Sequence, residues 1–336
     1  MSNLSRLATF ILNLYSVYMP ELPEVQTTTE GLRSVLPYLY IKDVWTDLST
    51  KDKRQKDSVK NTDYFEYFKK EVTDKRILDV RRRGKNILIE LEGGKTILIH
   101  MKMTGHLMFG KYDYDQKKNS WKPHDEEKNE ALRDPFNRFV HVAFTLSNPA
   151  LPFNDSIRHL VFCDSRKFGK MTLLETKDIG KSVHLEHLGP EPLDEAFTKQ
   201  AMIMALSKKP NGKIKQVLMD QSIIAGIGNI YSDEILWISG IHPEEKVANI
   251  SLSQFGVMYE AIRETLRKGI DFGGDSTSDY RDIHGKRGEF HHHHNAYRKT
   301  GDPCGKPGCK GVILRKMVGG RSAHFCSEHQ KLISKI

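Results

Sequence analysis

An α+β chain of more than one domain is the fold class predicted here, and three observations predict it. Apolar residues alternate at Ile87, Ile89 and Leu91 and return from Thr96 to Met101, the period-2 pattern of half-buried strands. After Asp178 that alternation disappears, and helical spacing takes its place. Cys304, Cys309 and Cys326 crowd into residues 301–336, a basic segment too small to build an apolar core of its own.

The elements follow in order. Residues 23–36 read as a helix, with Pro23 in its first turn, Glu24 at its positive end, and Val25, Thr28, Leu32 and Leu36 at helical spacing. Gly93-Gly94 closes the first strand pair into a hairpin, entered through Arg81-Arg82-Arg83-Gly84-Lys85. The polar stretches 48–64 and 111–136 read as surface insertions. Strands resume at Phe139–Leu146, His159–Phe162 and Lys170–Leu174, and Leu188-Gly189-Pro190-Glu191-Pro192-Leu193 reads as a hinge. Beyond it, Ser251 and Gln254 make a capping box ahead of Leu252, Phe255, Tyr259, Ile262 and Leu266, with Gly269 closing that helix. Residues 271–300 read as a long polar loop, its His291–His294 run solvated. The sequence has no internal repeat.

A length of 336 residues suits about two domains, and 28% charged residues against 38% hydrophobic ones are those of a globular protein. The balance of 52 Lys+Arg against 43 Asp+Glu gives +9, which favours a polyanionic partner, nucleic acid before membrane. The uneven cysteines are no secreted disulfide framework and point to a reducing compartment, with Cys163 a small core residue. The apolar run Leu7–Tyr18 is too short to span a bilayer and lacks a clear cleavage site.

Three motifs carry chemistry. Cys304-x4-Cys309, sixteen intervening residues and Cys326-x2-His329 have the spacing of a zinc ribbon. Three thiolates and an imidazole fill a tetrahedron, so one zinc per chain would be structural. His324 and the His291–His294 run are alternative donors for the fourth position. Gly226-Ile227-Gly228-Asn229 permits a sharp turn with Asn229 opening the next helix, where backbone N–H groups suit a phosphate; an ordinary capped corner is the plainer reading. Met19-Pro20-Glu21-Leu22-Pro23-Glu24-Val25 is a helix start by itself. With Met19 removed, Pro20 would offer a secondary amine beside a carboxylate, the equipment for Schiff-base catalysis.

The chain resembles the formamidopyrimidine-DNA glycosylase and endonuclease VIII family, and looks most like its formamidopyrimidine-DNA glycosylases. The resemblance runs from Pro20 to Gln330 and is carried by motifs in family order: PELPEV at 20–25, RRGK at 82–85, HMKMTG at 100–105, DSRKFG at 164–169, LGPEPL at 188–193, LMDQSIIAGIGNIYSDE at 218–234 and GGRSAHFC at 319–326. It implies a catalytic β-sandwich over 20–183 with a catalytic N-terminal helix, and a hinge over 184–196. A helix–two-turn–helix domain with a base-capping loop over 197–290 and a zinc finger over 291–336 complete the expected architecture.

The resemblance also implies roles. Pro20 would attack C1′ of an oxidised purine nucleotide, Glu21 would be the general acid/base, and Lys85 would hold the phosphate and the damaged nucleotide. Met103, Arg166 and Phe168 would fill the gap left by an everted base, which favours oxidised purines over the oxidised pyrimidines of endonuclease VIII-like enzymes. Lys215, Asn229 and Arg321 would grip the DNA backbone. The implied partner is damaged double-stranded DNA, the implied state a monomer, and no membrane is involved.

Two features depart from the family pattern. The first knuckle is Cys-x4-Cys rather than Cys-x2-Cys, with His329 as last ligand. Residues 1–18 have no family counterpart and read as a misassigned start or a processed leader. With them attached, the nitrogen of Pro20 is an amide and the chain is a damaged-DNA-binding protein without Schiff-base chemistry.

Overall fold

In the computed structural model, residues 19–152, 156–277 and 279–333 are described. The expectation for Leu7–Tyr18 falls outside them. The N-terminal half is a sandwich of two antiparallel four-stranded sheets, in the orders β1-β8-β9-β5 and β10-β4-β3-β2. Its strands are β1 (Tyr40–Thr46), β2 (Ile77–Arg83), β3 (Asn86–Leu91), β4 (Lys95–His100), β5 (Gly105–Gly110), β8 (Val140–Ser147), β9 (Ile157–Asp164) and β10 (Lys170–Glu175). Ile87, Ile89, Ile97, Ile99, Val142, Phe144 and Leu160 meet between the sheets, which is why the alternation was legible.

The polar stretches hold more structure than expected. Asn61 caps α2 (Thr62–Val72), which buries Phe68 and Val72 in the sandwich core. The 111–136 insertion contains the hairpin β6 (Tyr112–Asp115) and β7 (Ser120–Pro123), braced by Trp45, Tyr114 and Trp121. A hairpin with few apolar residues leaves little periodicity to read.

The C-terminal half packs α3 (Lys199–Leu206), α4 (Ile214–Met219), α5 (Asn229–Ser239) and α6 (Leu252–Asp271) around a second core. The Ser251–Gln254 capping box is present. Gly269 does not close α6, which runs on to Asp271. It is buried against Tyr231, whose Cε1 would lie 2.6 Å from an added Cβ, so the glycine admits a ring rather than ending a helix. The hairpin β11 (Ile313–Val318) and β12 (Arg321–Cys326) forms the small C-terminal unit.

Helix α1 (Leu22–Val35) joins the two halves. Leu22 belongs to the helical core, whereas Val25, Leu32 and the following Leu36 belong to the sandwich core. The hinge is clamped by the basic turn after β2: Arg82 and Arg83 pair with Glu191 at 2.6 and 2.8 Å, and the Gly84 N–H donates to the same carboxylate. The two arginines of RRGK therefore hold the domains together and set Lys85 at the junction.

Candidate active site

Glu21 opens the site. Pro20 is buried, and Glu21 is the N-cap of α1, with a capping box in which the Glu21 N–H donates to Glu24 Oε2 at 2.7 Å. The Glu21 carboxylate also reaches the first turn of α5. It accepts the N–H of Gly228 at 2.7 Å, of Ile230 at 2.8 Å and of Tyr231 at 3.4 Å. The Gly226-x-Gly228 motif makes room for this. A Cβ on Gly226 would lie 2.7 Å from Leu22 Cβ, and one on Gly228 would overlap the Glu21 carboxyl carbon. The backbone N–H groups expected to meet a DNA phosphate thus meet Glu21 instead, which is a correction to the reading from sequence.

Burial sets the electrostatics. Desolvation pushes the Glu21 carboxyl above the usual carboxylate range, opposed by the charge of Lys85 and the three backbone donors. Glu24, also buried, is raised to about 7 by desolvation and by the neighbouring Glu21, although Tyr231 and two backbone N–H groups hold its charged form. Burial pulls Lys85 below the ordinary lysine range, against the attraction of Glu21 and Glu24, and Arg321 adds to the lowering. Two carboxyls and an amine with pKa values displaced toward neutrality are suited to proton transfer.

A pocket of about 360 Å³ opens beside these groups, lined by Met19, Lys85, Asn86, His100, Lys102, Lys170, His184, Gly228 and Arg321 among others. Its described lining contains four Lys or Arg side chains and no carboxylate. His100 is kept neutral, its pKa lowered to about 3 by burial and by the charges of Lys102 and Lys85. The cavity is therefore a positively charged one, with Lys85 among its lining residues.

The structure brings Lys85 and Arg321 to one pocket, and Met103, Arg166 and Phe168 to two joined turns. Arg321, half-buried at the start of β12, lines the pocket with Lys85, although 236 positions separate them. Met103 is half-buried, while Arg166 and Phe168 are exposed, with the guanidinium 4.8 Å from the ring centroid. Their two turns are tied together, since Thr104 donates to Asp164 and in turn accepts the Arg166 N–H at 3.2 Å. Asn229 opens α5 as expected.

Lys215 differs. Its side chain is 0% exposed, and its ammonium donates to Asp233 at 2.5 Å and to Ser232 at 3.1 Å. A buried ammonium already engaged with a carboxylate does not reach a phosphate. The same Asp233 accepts from the His324 N–H at 3.0 Å and meets the His324 ring at 2.8 Å, so Lys215 and Asp233 together seat the β11–β12 hairpin on α5. His324 is thereby removed as a metal donor. His291–His294 is not a solvated loop either: Phe290–His293 forms a short turn, and His294 is buried against Asp275.

The sequence reading missed Glu24, Tyr231 and Asp275. Tyr231 Oη and the Asp275 N–H each donate to Glu24 Oε1 at 2.7 Å, and the Tyr231 ring stacks on Phe290 at 5.0 Å. Glu24 stood in the opening motif but read as a helix-dipole residue, since only the fold shows that it faces a second carboxyl. The loop over 273–290 is likewise packed: the Tyr280 hydroxyl donates to Glu24 O, and buried Arg281 pairs with Asp134 of the insertion.

Cys304, Cys309, Cys326 and His329 converge, their donor atoms all within 4.8 Å of one another. His329 Nε2 lies 3.0 Å from the Trp237 carbonyl, which only accepts, so Nε2 carries the hydrogen and Nδ1 presents its lone pair to the sulfurs. The donor set thus fits a tetrahedral metal ion.

No helix among the described residues is long and apolar enough to cross a membrane. A family model described as "Formamidopyrimidine-DNA glycosylase N-terminal domain" matches residues 19–171, and "Formamidopyrimidine-DNA glycosylase H2TH domain" matches residues 188–281. The chain is 35% identical over 314 residues to a formamidopyrimidine-DNA glycosylase of Pelotomaculum thermopropionicum, covering 94% of this chain and 100% of the relative. It is 36% identical over 310 residues to that of Chloroflexus aurantiacus, with 92% and 96% covered. A solved complex of Lactococcus lactis Fpg with DNA containing an abasic site superposes with a TM-score of 0.74 at 28% identity, over 93% of this chain and 99% of that one. The chain belongs to the formamidopyrimidine-DNA glycosylase family.

Proposed function

We propose that the protein is a DNA glycosylase and AP lyase that excises oxidised purines, 8-oxoguanine and formamidopyrimidines, from duplex DNA. The observation that carries the reading is that Lys85, in charge interaction with the buried Glu21, lines a cationic pocket together with Met19, the residue next to Pro20. The Pro20 nitrogen forms a bond to the sugar C1′ while the C1′–base bond breaks, its electron pair leaving on the base. The amine proton passes through Glu21 to O4′ as the C1′–O4′ bond opens, which leaves a cationic iminium. That cation is the electron sink for β- and then δ-elimination, leaving a one-nucleotide gap. Burial of Glu21 suits it to hold a proton near neutrality.

Everted DNA needs its gap refilled, and Met103, Arg166 and Phe168, on two joined turns, offer apolar wedges and one guanidinium for that purpose. Arg321 and Asn229 grip the backbone around the everted nucleotide. Lys215 acts by placing the hairpin that carries Arg321. Cys304, Cys309, Cys326 and His329 hold a structural Zn2+, with no position left for a catalytic water.

The chemistry requires Pro20 as a free amine, because an amide nitrogen has its lone pair delocalised. Borohydride trapping on duplexes carrying 8-oxoguanine or an oxidised pyrimidine tests this, with protein begun at Met19 beside the 336-residue chain. An adduct at Pro20 on the purine duplex is expected from the shorter form alone. Trapping on the pyrimidine only overturns the substrate, and no adduct with either overturns the enzyme.

A further inference from the structure

We propose that Asp275 and His294 form a positioning pair for Glu24: the pair holds the Asp275 N–H on that carboxylate and keeps the Pro20–Glu21 turn in register. This rests on the reading of Pro20 and Glu21 as the catalytic pair. Glu24 accepts the Glu21 N–H at 2.7 Å and so acts through its neighbour.

Four observations carry it. The Asp275 side chain is 0% exposed and His294 4%, and the His294 Nε2 lies 2.6 Å from Asp275 Oδ2. The other carboxylate oxygen takes the N–H of Thr277 at 2.8 Å, so Asp275 is held from both sides. Its backbone is pressed onto Glu24, because the preceding Gly274 has φ +85° and a Cβ there would lie 2.9 Å from Glu24 Cγ. The His294 ring cannot drift, being set edge-on to Phe290 at 5.5 Å and to Tyr297 at 5.3 Å.

Burial would raise the Asp275 carboxyl, but the adjacent His294 imidazole, together with the N–H and hydroxyl of Thr277, outweighs it and keeps it below the usual range. Without the imidazole, a buried carboxylate loses its strongest donor and either protonates or shifts, and its N–H shifts with it. Glu24 then loses a hydrogen bond made to its charged form, so its pKa rises further. The other groups facing Glu24 are Glu21, Lys85, Tyr231 and Tyr280, and His291 faces Asp275.

The test is a 13C-carboxyl NMR titration of glutamate-labelled full chain, read at Glu24. In His294→Leu the Glu24 midpoint is expected to rise by about one pH unit, and His294→Gln, which keeps an N–H donor, should stay near wild type. An unchanged midpoint in folded His294→Leu overturns the proposal. If His294→Leu does not fold, Asp275→Asn weakens the same contact; the same rise is expected and an unchanged midpoint overturns it. In trapping assays the acidic limb of the single-turnover rate should move up with the midpoint while the KM for DNA stays put. A protein that titrates as expected yet forms no borohydride adduct defeats the functional reading and not the pair.

Discussion

Glu21 and Gly228 share one space: the Glu21 carboxyl stands where a side chain on Gly228 would be, and it accepts the Gly228 N–H at 2.7 Å. The start of the sandwich domain is thereby the N-terminal cap of a helix in the other domain. The candidate catalytic carboxyl and the junction between the halves are one feature, and a change at either is felt by both.

Gly228→Ala should therefore displace the carboxylate from α5. The added methyl overlaps the carboxyl carbon rather than the free end of a flexible chain. A stability loss of about 1–3 kcal/mol is expected from overpacking. Single-turnover trapping should fall by about a hundredfold, because a shift near 1 Å is enough to misplace the proton carrier. Thermal unfolding and borohydride trapping on the same preparation check both.

Glu24 predicts a pH dependence whose sign follows from its raised pKa. With a folded value of about 7 against 4.5 for the unfolded chain, the folded protein holds the extra proton between those limits. Its contribution to stability is complete below about 4.5 and is lost as pH rises through about 7. The stability of wild type relative to Glu24→Gln should fall by roughly 3 kcal/mol between pH 4 and pH 8. Urea unfolding at the two ends measures it; a constant difference would show that Glu24 titrates normally.

Lys215 and Arg321 should separate in salt. Lys215→Met leaves Asp233 buried and short of a donor, at a cost of about 3 kcal/mol. In the folded fraction the slope of log affinity for DNA against log salt should stay as in wild type. Arg321→Ala should leave stability near wild type and flatten that slope by about one. A flatter slope for Lys215→Met would return Lys215 to the phosphate contacts.

Removal of the metal is expected to act at a distance. Cys326 is 0% exposed and its strand carries both Arg321 and the His324 that Asp233 holds. Cys326→Ser should lose bound metal and DNA affinity together, measured by emission spectroscopy and by filter binding. Unchanged affinity in the metal-free variant would mean that the hairpin holds its place without the ion.

Much of this is legible in the sequence, for physical reasons that differ by region. The sandwich strands show because one face of each is buried, which forces alternation at Ile87, Ile89 and Leu91. The metal site shows because thiolates at fixed spacing have few other uses, and the knuckle Cys304-x4-Cys309 closes as readily as a shorter one. Helix α2 and the β6–β7 hairpin stayed hidden because half their surface faces solvent and their apolar residues are few.

By itself, the sequence determined the metal donors and the α+β order of the chain, which rest on residue type and local spacing, and its motifs, through the family resemblance, pointed to Pro20, Glu21 and Lys85. Tertiary structure alone decided where buried charges go. It sent the α5 N–H groups to Glu21 instead of to a phosphate, Lys215 to Asp233 instead of to DNA, and His294 to Asp275 instead of to solvent. The physical reason is that a charge removed from water must find its partner nearby in space, and spacing along the chain says nothing about which partner the fold will bring.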